Sequence, residues 1–335
     1  MNQYYLLCIL LYIIKTNEIK IRFWFQFYEN DVSQVQIRTN AAFKLDNLLS
    51  EDIKQNEPMY IFGQEIENVD SFLQLKETFI WFSYRANIQY EGRAISDQGW
   101  GCLIRVGQMI LANSLIRNNS SSLLKDLKTK IINLFDDDES FSTIAPFSIH
   151  QIIKKAALNY NLKIGDWYTG PKIMCLLEEL VSTVKTIKQL KIINFLEQCI
   201  IEQQIDLKFN QAQLIVIHAI IGNKELDSYF EAQLQKHIEI PQFAGAIVGK
   251  NNKAYFLIGY QNKLGILMDP HYVQESGYIQ LKPQLKCTPL KEFSGTIALC
   301  YFISSSQDYK EFKTALKELK GSIFNIIDEN YTCIF

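Results

Sequence analysis

No charge of one sign dominates this chain: 34 lysines and arginines face 36 aspartates and glutamates, a net charge of −2 over 335 residues. A nucleic-acid-binding chain carries a basic surplus and a disordered chain an excess of charge over apolar residues, so neither class is indicated. Histidine is scarce, at four residues, and the seven cysteines are scattered with no Cys-x-x-Cys pair, which removes zinc-ligand spacing. An odd number of widely spaced thiols reads as reduced and cytoplasmic. Also lacking are an internal repeat, an extended low-complexity tract and the run of about 20 apolar residues that a membrane span needs. The candidate for such a run, Tyr4 to Ile14, has no preceding positive charge and no small-residue cleavage site. It is expected to be a docked strand or short helix, or a misassigned start of the reading frame, with a membrane anchor as the alternative. What is present is globular: 48% of residues are hydrophobic, enough for one large domain or two.

Along the chain, Ile19 to Tyr28 has strand composition and Asn30 to Asn56 turns polar, so the compact domain is expected to start near the short strand ending at Gly63. An apolar element from Leu73 to Trp81 leads into a loop with Tyr84, Arg85 and Asn87. The acidic run Asp136 to Glu139 lacks the spaced oxygens of a calcium loop and reads as a solvated loop. Ser148 and Gln151 have capping-box spacing at the start of a helix to about Asn159, and His150 in its first turn is assigned a surface or capping role. Pro171 opens another helix, expected to reach about Leu190. The second half changes character. Gln213 to Ile221, Ala244 to Gly249, Ala254 to Tyr260, Leu264 to Asp269 and Thr296 to Ile303 are β-rich runs, a mainly antiparallel sheet, followed by a helix over Asp308 to Leu319. The class is therefore α+β.

Two places carry chemistry. Gly99 and Gly101 bracket Trp100, and Cys102 opens a run with Leu103, Val106 and Ile110 at helical spacing. A cysteine at a helix N-terminus meets unpaired N–H groups and the positive end of the dipole, which favour the thiolate; a small buried core cysteine is the alternative. Asp269-Pro270-His271 follows a strand. Residues two apart on extended backbone face one way, so the carboxylate can hold one imidazole nitrogen and leave the other as a base. Tyr84 reads either as core or as something more, and Trp167, in a glycine-flanked loop, as core or as the wall or lid of a cleft.

The cysteine on a helical lobe with His and Asp on a sheet lobe is the layout of papain-like proteases. The stretches Trp81-Phe-Ser-Tyr-Arg85, Ser96-Asp-x-Gly-Trp-Gly-Cys-Leu-Ile-Arg105, Gly107-Gln-Met109, Ser148-Ile-His-Gln151, Gly165-Asp-Trp-Tyr168, Pro241-Gln242, Tyr255-Phe256, Ile258-Gly-Tyr260 and Asp269-Pro-His271 occur in one order over roughly residues 55 to 320. In this the chain closely resembles the autophagins, the cysteine endopeptidases that process the ubiquitin-like autophagy modifier. The resemblance implies that Cys102 is the nucleophile, His271 the base and then acid, and Asp269 its orienting partner. It implies that Tyr84 helps form an oxyanion hole with the Cys102 N–H, and that Trp167 covers the channel for the substrate's C-terminal glycine. It further implies cleavage of both the precursor and the phosphatidylethanolamine conjugate, no metal or cofactor, no nucleic acid, membrane contact only through the lipidated substrate, and a monomer.

The chain also departs from the family pattern. Val106 stands where a second cysteine is common, Ile220 where an arginine helps hold the substrate, and Thr169 interrupts the usual Trp-Tyr-Gly-Pro. The tail Asp328-Glu-Asn-Tyr-Thr-Cys-Ile334 resembles a short modifier-binding motif anchored by Tyr331 and Ile334. The expected organisation is an N-terminal extension over 1–50, a papain-like domain over 51–325 and a tail over 326–335. A catalytically impaired modifier-binding protein of the same fold is the competing reading.

Overall fold

The computed structural model describes residues 53–54, 57–118, 124–184, 190–222, 225–277, 283–319 and 321–327. The runs Tyr4 to Ile14 and Ile19 to Tyr28, and the tail with Tyr331 and Ile334, lie outside the described residues. The chain starts with the hairpin β1 (Met59–Ile61) and β2 (Gln64–Ile66), then α1 (Val69–Lys76), capped by the Asn68 side chain. Three short strands follow, β3 (Tyr84–Ala86), β4 (Ile88–Tyr90) and β5 (Arg93–Ile95). Next come the helices α2 (Cys102–Asn118), α3 (Leu124–Ile132), α4 (Ile149–Tyr160) and α5 (Gly170–Thr183). The β-rich half contains β6 (Leu190–Phe195), β7 (Cys199–Ile201) and β8 (Ala212–Ile220), then α6 (Ser228–Glu239). After it come β9 (Phe243–Lys250), β10 (Lys253–Gln261), β11 (Leu264–Met268), β12 (Val273–Glu275), β13 (Leu285–Pro289) and β14 (Thr296–Ile303), closed by α7 (Ser306–Glu318) and β15 (Asn325–Ile327).

The main sheet runs β13-β11-β10-β9-β14-β8-β6, with β1 paired to β10. Its pairs are antiparallel except β6 with β8. Alternation along the strands divides the side chains between two faces. Ile215, Ile217, Val248, Leu257 and Leu299 point into the core closed by Leu234 and Ile238 of α6 and by Tyr309, Phe312 and Leu316 of α7. The residues between them, Val216, Ile247, Phe256 and Ala298, face the other way, the side on which α2 lies against β9 and β10 and α5 against β6, β8 and β14. Covered on both faces, β8 is buried at every position except its last, which is why it reads as a continuous apolar run. Helices α2 and α5 touch at Gly107, where a Cβ would stand 2.8 Å from Ile173 Cγ1.

The α+β class holds, with some corrections. The helix expected to reach Leu190 ends at Thr183, and Leu190 instead begins the parallel edge strand β6; an apolar run that short fits either state until its partner is known. The capping box is half formed. Ser148 accepts from the Gln151 N–H, but the Gln151 side chain donates to Ser142 O at 2.7 Å rather than folding back. His150 is not at the surface: it is buried, stacks on Tyr90 with 5.7 Å between ring centroids, and places Nε2 2.6 Å from Gln89 O. Among the described residues no helix is long and apolar enough to cross a membrane.

Candidate active site

Cys102 is the first residue of α2. The Asp97 carbonyl accepts the N–H groups of Trp100 (3.3 Å) and Gly101 (2.8 Å), and the Arg105 N–H then donates to Gly101 O at 3.0 Å, the first helical bond. Two glycines make this turn possible. Gly99 has φ +89°, and at Gly101 a Cβ would come within 2.6 Å of Asp97 Oδ2. The turn is then locked from below. Asp97 Oδ1 accepts the Arg85 N–H at 2.5 Å and its Oδ2 the Arg105 Nε–H at 2.6 Å, while Arg105 Nη1 donates to Asp137 Oδ2 at 2.6 Å. Asp137 Oδ1 in turn accepts the Ile149 N–H at 2.8 Å. Burial alone would push the Arg105 pKa down, but Asp137 and Asp97 outweigh it and keep the guanidinium charged. The acidic run is therefore no mere solvated loop: Asp137 is 5% exposed and ties α2 to the start of α4.

Asp269 ends the sheet's contribution just past β11, and Pro270 keeps it extended. One oxygen, Asp269 Oδ1, accepts both the His271 N–H at 2.9 Å and Nδ1–H at 2.6 Å. The imidazole is held edge-on to Tyr84, with 5.4 Å and 84° between the rings, and tilted against Tyr255 at 4.9 Å. The loop itself is fastened to the helical half. Trp81 Nε1 donates to Asp269 O at 2.8 Å, the Tyr84 N–H donates to Pro270 O at 3.0 Å, and β12 pairs in parallel with β3, Val273 opposite Tyr84.

His271 Nε2 is buried with no hydrogen-bond partner among the described residues, and His271 and Cys102 each shift the other's titration. Burial pushes the Cys102 thiol up; the His271 contact, the Ala254 backbone N–H and the Tyr84 hydroxyl outweigh it and leave the pKa below the usual 9.0. Burial pushes His271 down, while Asp269 and the Cys102 sulfur raise it above 6.5. Burial would likewise raise Asp269, but the hydrogen bonds from His271 hold it below 3.8. Burial first, and then the neighbouring sulfur, raise the Tyr84 hydroxyl, so it stays protonated and able to donate. A thiol and an imidazole that each favour the other's charged form are what a thiol nucleophile needs. Among the described residues no group of three or more His, Cys, Asp or Glu side chains stands close enough to hold a metal ion.

Of the sequence candidates, Cys102, His271, Asp269 and Tyr84 come together. Trp167 sits on the loop before α5 and is 59% exposed, which rules out the core reading. Thr169 is the N-cap of α5, its hydroxyl accepting the Lys172 N–H at 3.4 Å. Val106 is fully buried on α2, and Ile220, at the end of β8, is 73% exposed. Sequence reasoning missed the supports: Tyr255, Trp81 and the Asp97–Arg105–Asp137 lock. Arg105, set among the apolar positions Ile104, Val106 and Met109 of the helix, was the available signal, since such a charge has to be paired when buried.

A family model described as the peptidase C54 catalytic domain matches residues 69–315, a stretch that includes all of these side chains. The chain is 25% identical over 280 residues to the probable cysteine protease atg4 of Sclerotinia sclerotiorum, covering 73% of this chain and 61% of that protein. It is 24% identical over 327 residues to cysteine protease ATG4B of Gallus gallus, covering 78% and 81%, and 33% identical over 199 residues to the probable cysteine protease ATG4 of Scheffersomyces stipitis, covering 53% and 35%. The chain thus spans about three fifths of the length of fungal relatives such as the 61% and 59% seen for Sclerotinia sclerotiorum and Botryotinia fuckeliana. With the match running through the helix of Cys102 and the loop of His271 alike, this chain belongs to the peptidase C54 family.

Proposed function

We propose that the chain is a cysteine endopeptidase that cleaves after the C-terminal glycine of a ubiquitin-like autophagy modifier, in its precursor and in its phosphatidylethanolamine conjugate. The observation that supports this is the setting of His271: Nδ1 is tied to Asp269 at 2.6 Å, Nε2 is buried and unpartnered, the ring stands against Tyr84, and His271 and Cys102 shift each other's titration.

In this reading the Cys102 thiolate attacks the glycyl carbonyl carbon, and the carbonyl electrons move onto oxygen. The Cys102 N–H and the Tyr84 hydroxyl stabilise that oxyanion. On collapse, the imidazolium of His271 gives its proton to the departing amine, leaving a thioester. Water then attacks the thioester carbonyl as His271 takes one of its protons, and the thiolate leaves with the modifier released as a free acid. Trp167 walls the channel through which the glycine tail passes; a residue without a side chain suits a narrow passage. The tail residues Tyr331 and Ile334 act as a second hold on the modifier. The enzyme works as a cytoplasmic monomer, without metal or cofactor, binds no nucleic acid, and meets the membrane through its lipidated substrate. Retention of Cys102, His271 and Asp269 speaks against the impaired-binder alternative.

The test is incubation of the full chain with precursor modifier and, side by side, with the lipid conjugate, next to Cys102→Ala. The wild type is expected to release the mature modifier from both and the variant from neither. Equal cleavage by the two proteins would sink the assignment.

A further inference from the structure

Lined by none of Cys102, His271, Asp269 and Tyr84, a groove of about 550 Å³ opens along α7. Lys310, Lys313 and Lys317 line it, at a spacing that puts all three on one helix face. Lys313 pairs with Glu202 on the opposite wall at 2.6 Å. Lys310 and Lys317 are exposed and have no acidic partner among the described residues. At the rim stands Leu207, 53% exposed. In a chain whose net charge is −2, this is a local positive surplus beside an apolar contact. It is complementary to a peptide with two acidic residues followed by aromatic or aliphatic ones.

We propose that this groove docks the chain's own C-terminal segment, residues 328–335, which lies outside the described residues. That segment reads Asp-Glu-Asn-Tyr-Thr-Cys-Ile-Phe, so Asp328 and Glu329 match the two lysines left without a carboxylate, and the apolar end matches Leu207. The described chain delivers it to the right place. Strand β15 pairs in parallel with β7, Ile327 opposite Ile201, and the residue after Ile201 is Glu202, a wall of the groove. Eight extended residues reach roughly 26 Å, more than enough to lie along α7. Docking withholds Tyr331 and Ile334 from any other partner. Only this last consequence rests on the reading of the tail as a modifier anchor; the docking itself does not.

The experiment is fluorescence anisotropy of a fluorescein-labelled peptide with the sequence of residues 326–335, titrated with full-length proteins. D328K/E329K, whose own tail can no longer compete, is expected to bind the peptide about tenfold more tightly than the wild type. Adding K310E/K317E to that variant is expected to weaken binding about tenfold, with a loss in higher salt. Equal binding by the wild type and D328K/E329K overturns the proposal, as does indifference to the lysine reversals or equal binding of a scrambled peptide. Because no step requires proteolysis, failure here leaves the proposed endopeptidase untouched, and failure of that assay leaves the docking standing.

Discussion

Asp269 Oδ1 serves His271 twice, at its backbone N–H and at Nδ1, and thereby fixes both the tautomer and the direction in which Nε2 points. The Cys102 thiol, held below 9.0, and His271, held above 6.5, titrate as a pair. The expected profile of kcat/KM rises on the acid side as the pair loses its first proton and falls on the alkaline side as it loses the second. Asp269→Asn removes the charge that supports the imidazolium. It is expected to cut kcat by about 10²- to 10⁴-fold and to move the alkaline limb to lower pH, which a pH–rate series on precursor modifier checks. Stability follows the same shifts. The raised pKa of His271 contributes stability fully below pH 6.5 and loses it as pH rises through the folded value. The depressed pKa of Asp269 contributes above pH 3.8 and is lost as pH falls through its folded value, so thermal melts of Asp269→Asn are expected to lack that acid-side loss.

At the scale of elements, the site depends on how α2 begins. Arg105 is 1% exposed and draws Asp97 and Asp137 onto one guanidinium, so the turn before Cys102, the strand β3 with Tyr84 and the start of α4 share one anchor. Arg105→Ala strips two buried carboxylates of the guanidinium that they hydrogen-bond and leaves only Arg85 nearby. It is expected to cost about 3–5 kcal/mol in urea denaturation, far more than loss of a surface pair. A smaller effect is expected at α5. Thr169→Ala removes the cap on the Lys172 N–H and is expected to cost about 1 kcal/mol by thermal unfolding, with faster hydrogen exchange confined to the first turn. Thr169 breaks the family's usual spacing, yet it gives α5 a side-chain cap, which accounts for its fit in this chain.

At the scale of the whole molecule, the helical layer supplies the sulfur and the sheet supplies the imidazole. They are joined by β12 with β3 and by the Trp81 indole, not by the sheet ladder itself. Ile220 ends β8 opposite Thr296, the first residue of β14, Val248 of β9 lies opposite Ile297, and Gly249 of β9 opposite Ala254, whose N–H lowers the Cys102 pKa. An isoleucine 73% exposed adds little to the fold, and under the proposed function it would pack on the substrate tail. Covering such a side chain is worth about 1.5–3 kcal/mol. Ile220→Arg is therefore expected to leave stability within about 0.5 kcal/mol and to raise KM for precursor modifier about tenfold with kcat little changed, read by steady-state kinetics.

Cys102, Asp269 and His271 were legible as candidates in the sequence because their chemistry is local. A glycine-bracketed cysteine opening a helix and a carboxylate two residues from a histidine each state a role within a few positions, and helical and strand periods state which half is which. So α4, α7 and the long strands β8 to β11 and β14 begin and end within two residues of expectation. What needed tertiary structure was everything whose meaning depends on a distant partner. Leu190–Phe195 became a strand because β8 offered its edge, His150 became a packed ring because Tyr90 lay beneath it, and Asp137 became a buried anchor because Arg105 reached it. A sequence fixes which groups are present and the local backbone that holds them; only the folded chain fixes which groups are taken out of water together, and burial with a partner is what shifts Cys102, His271 and Asp269 from ordinary side chains to a poised set.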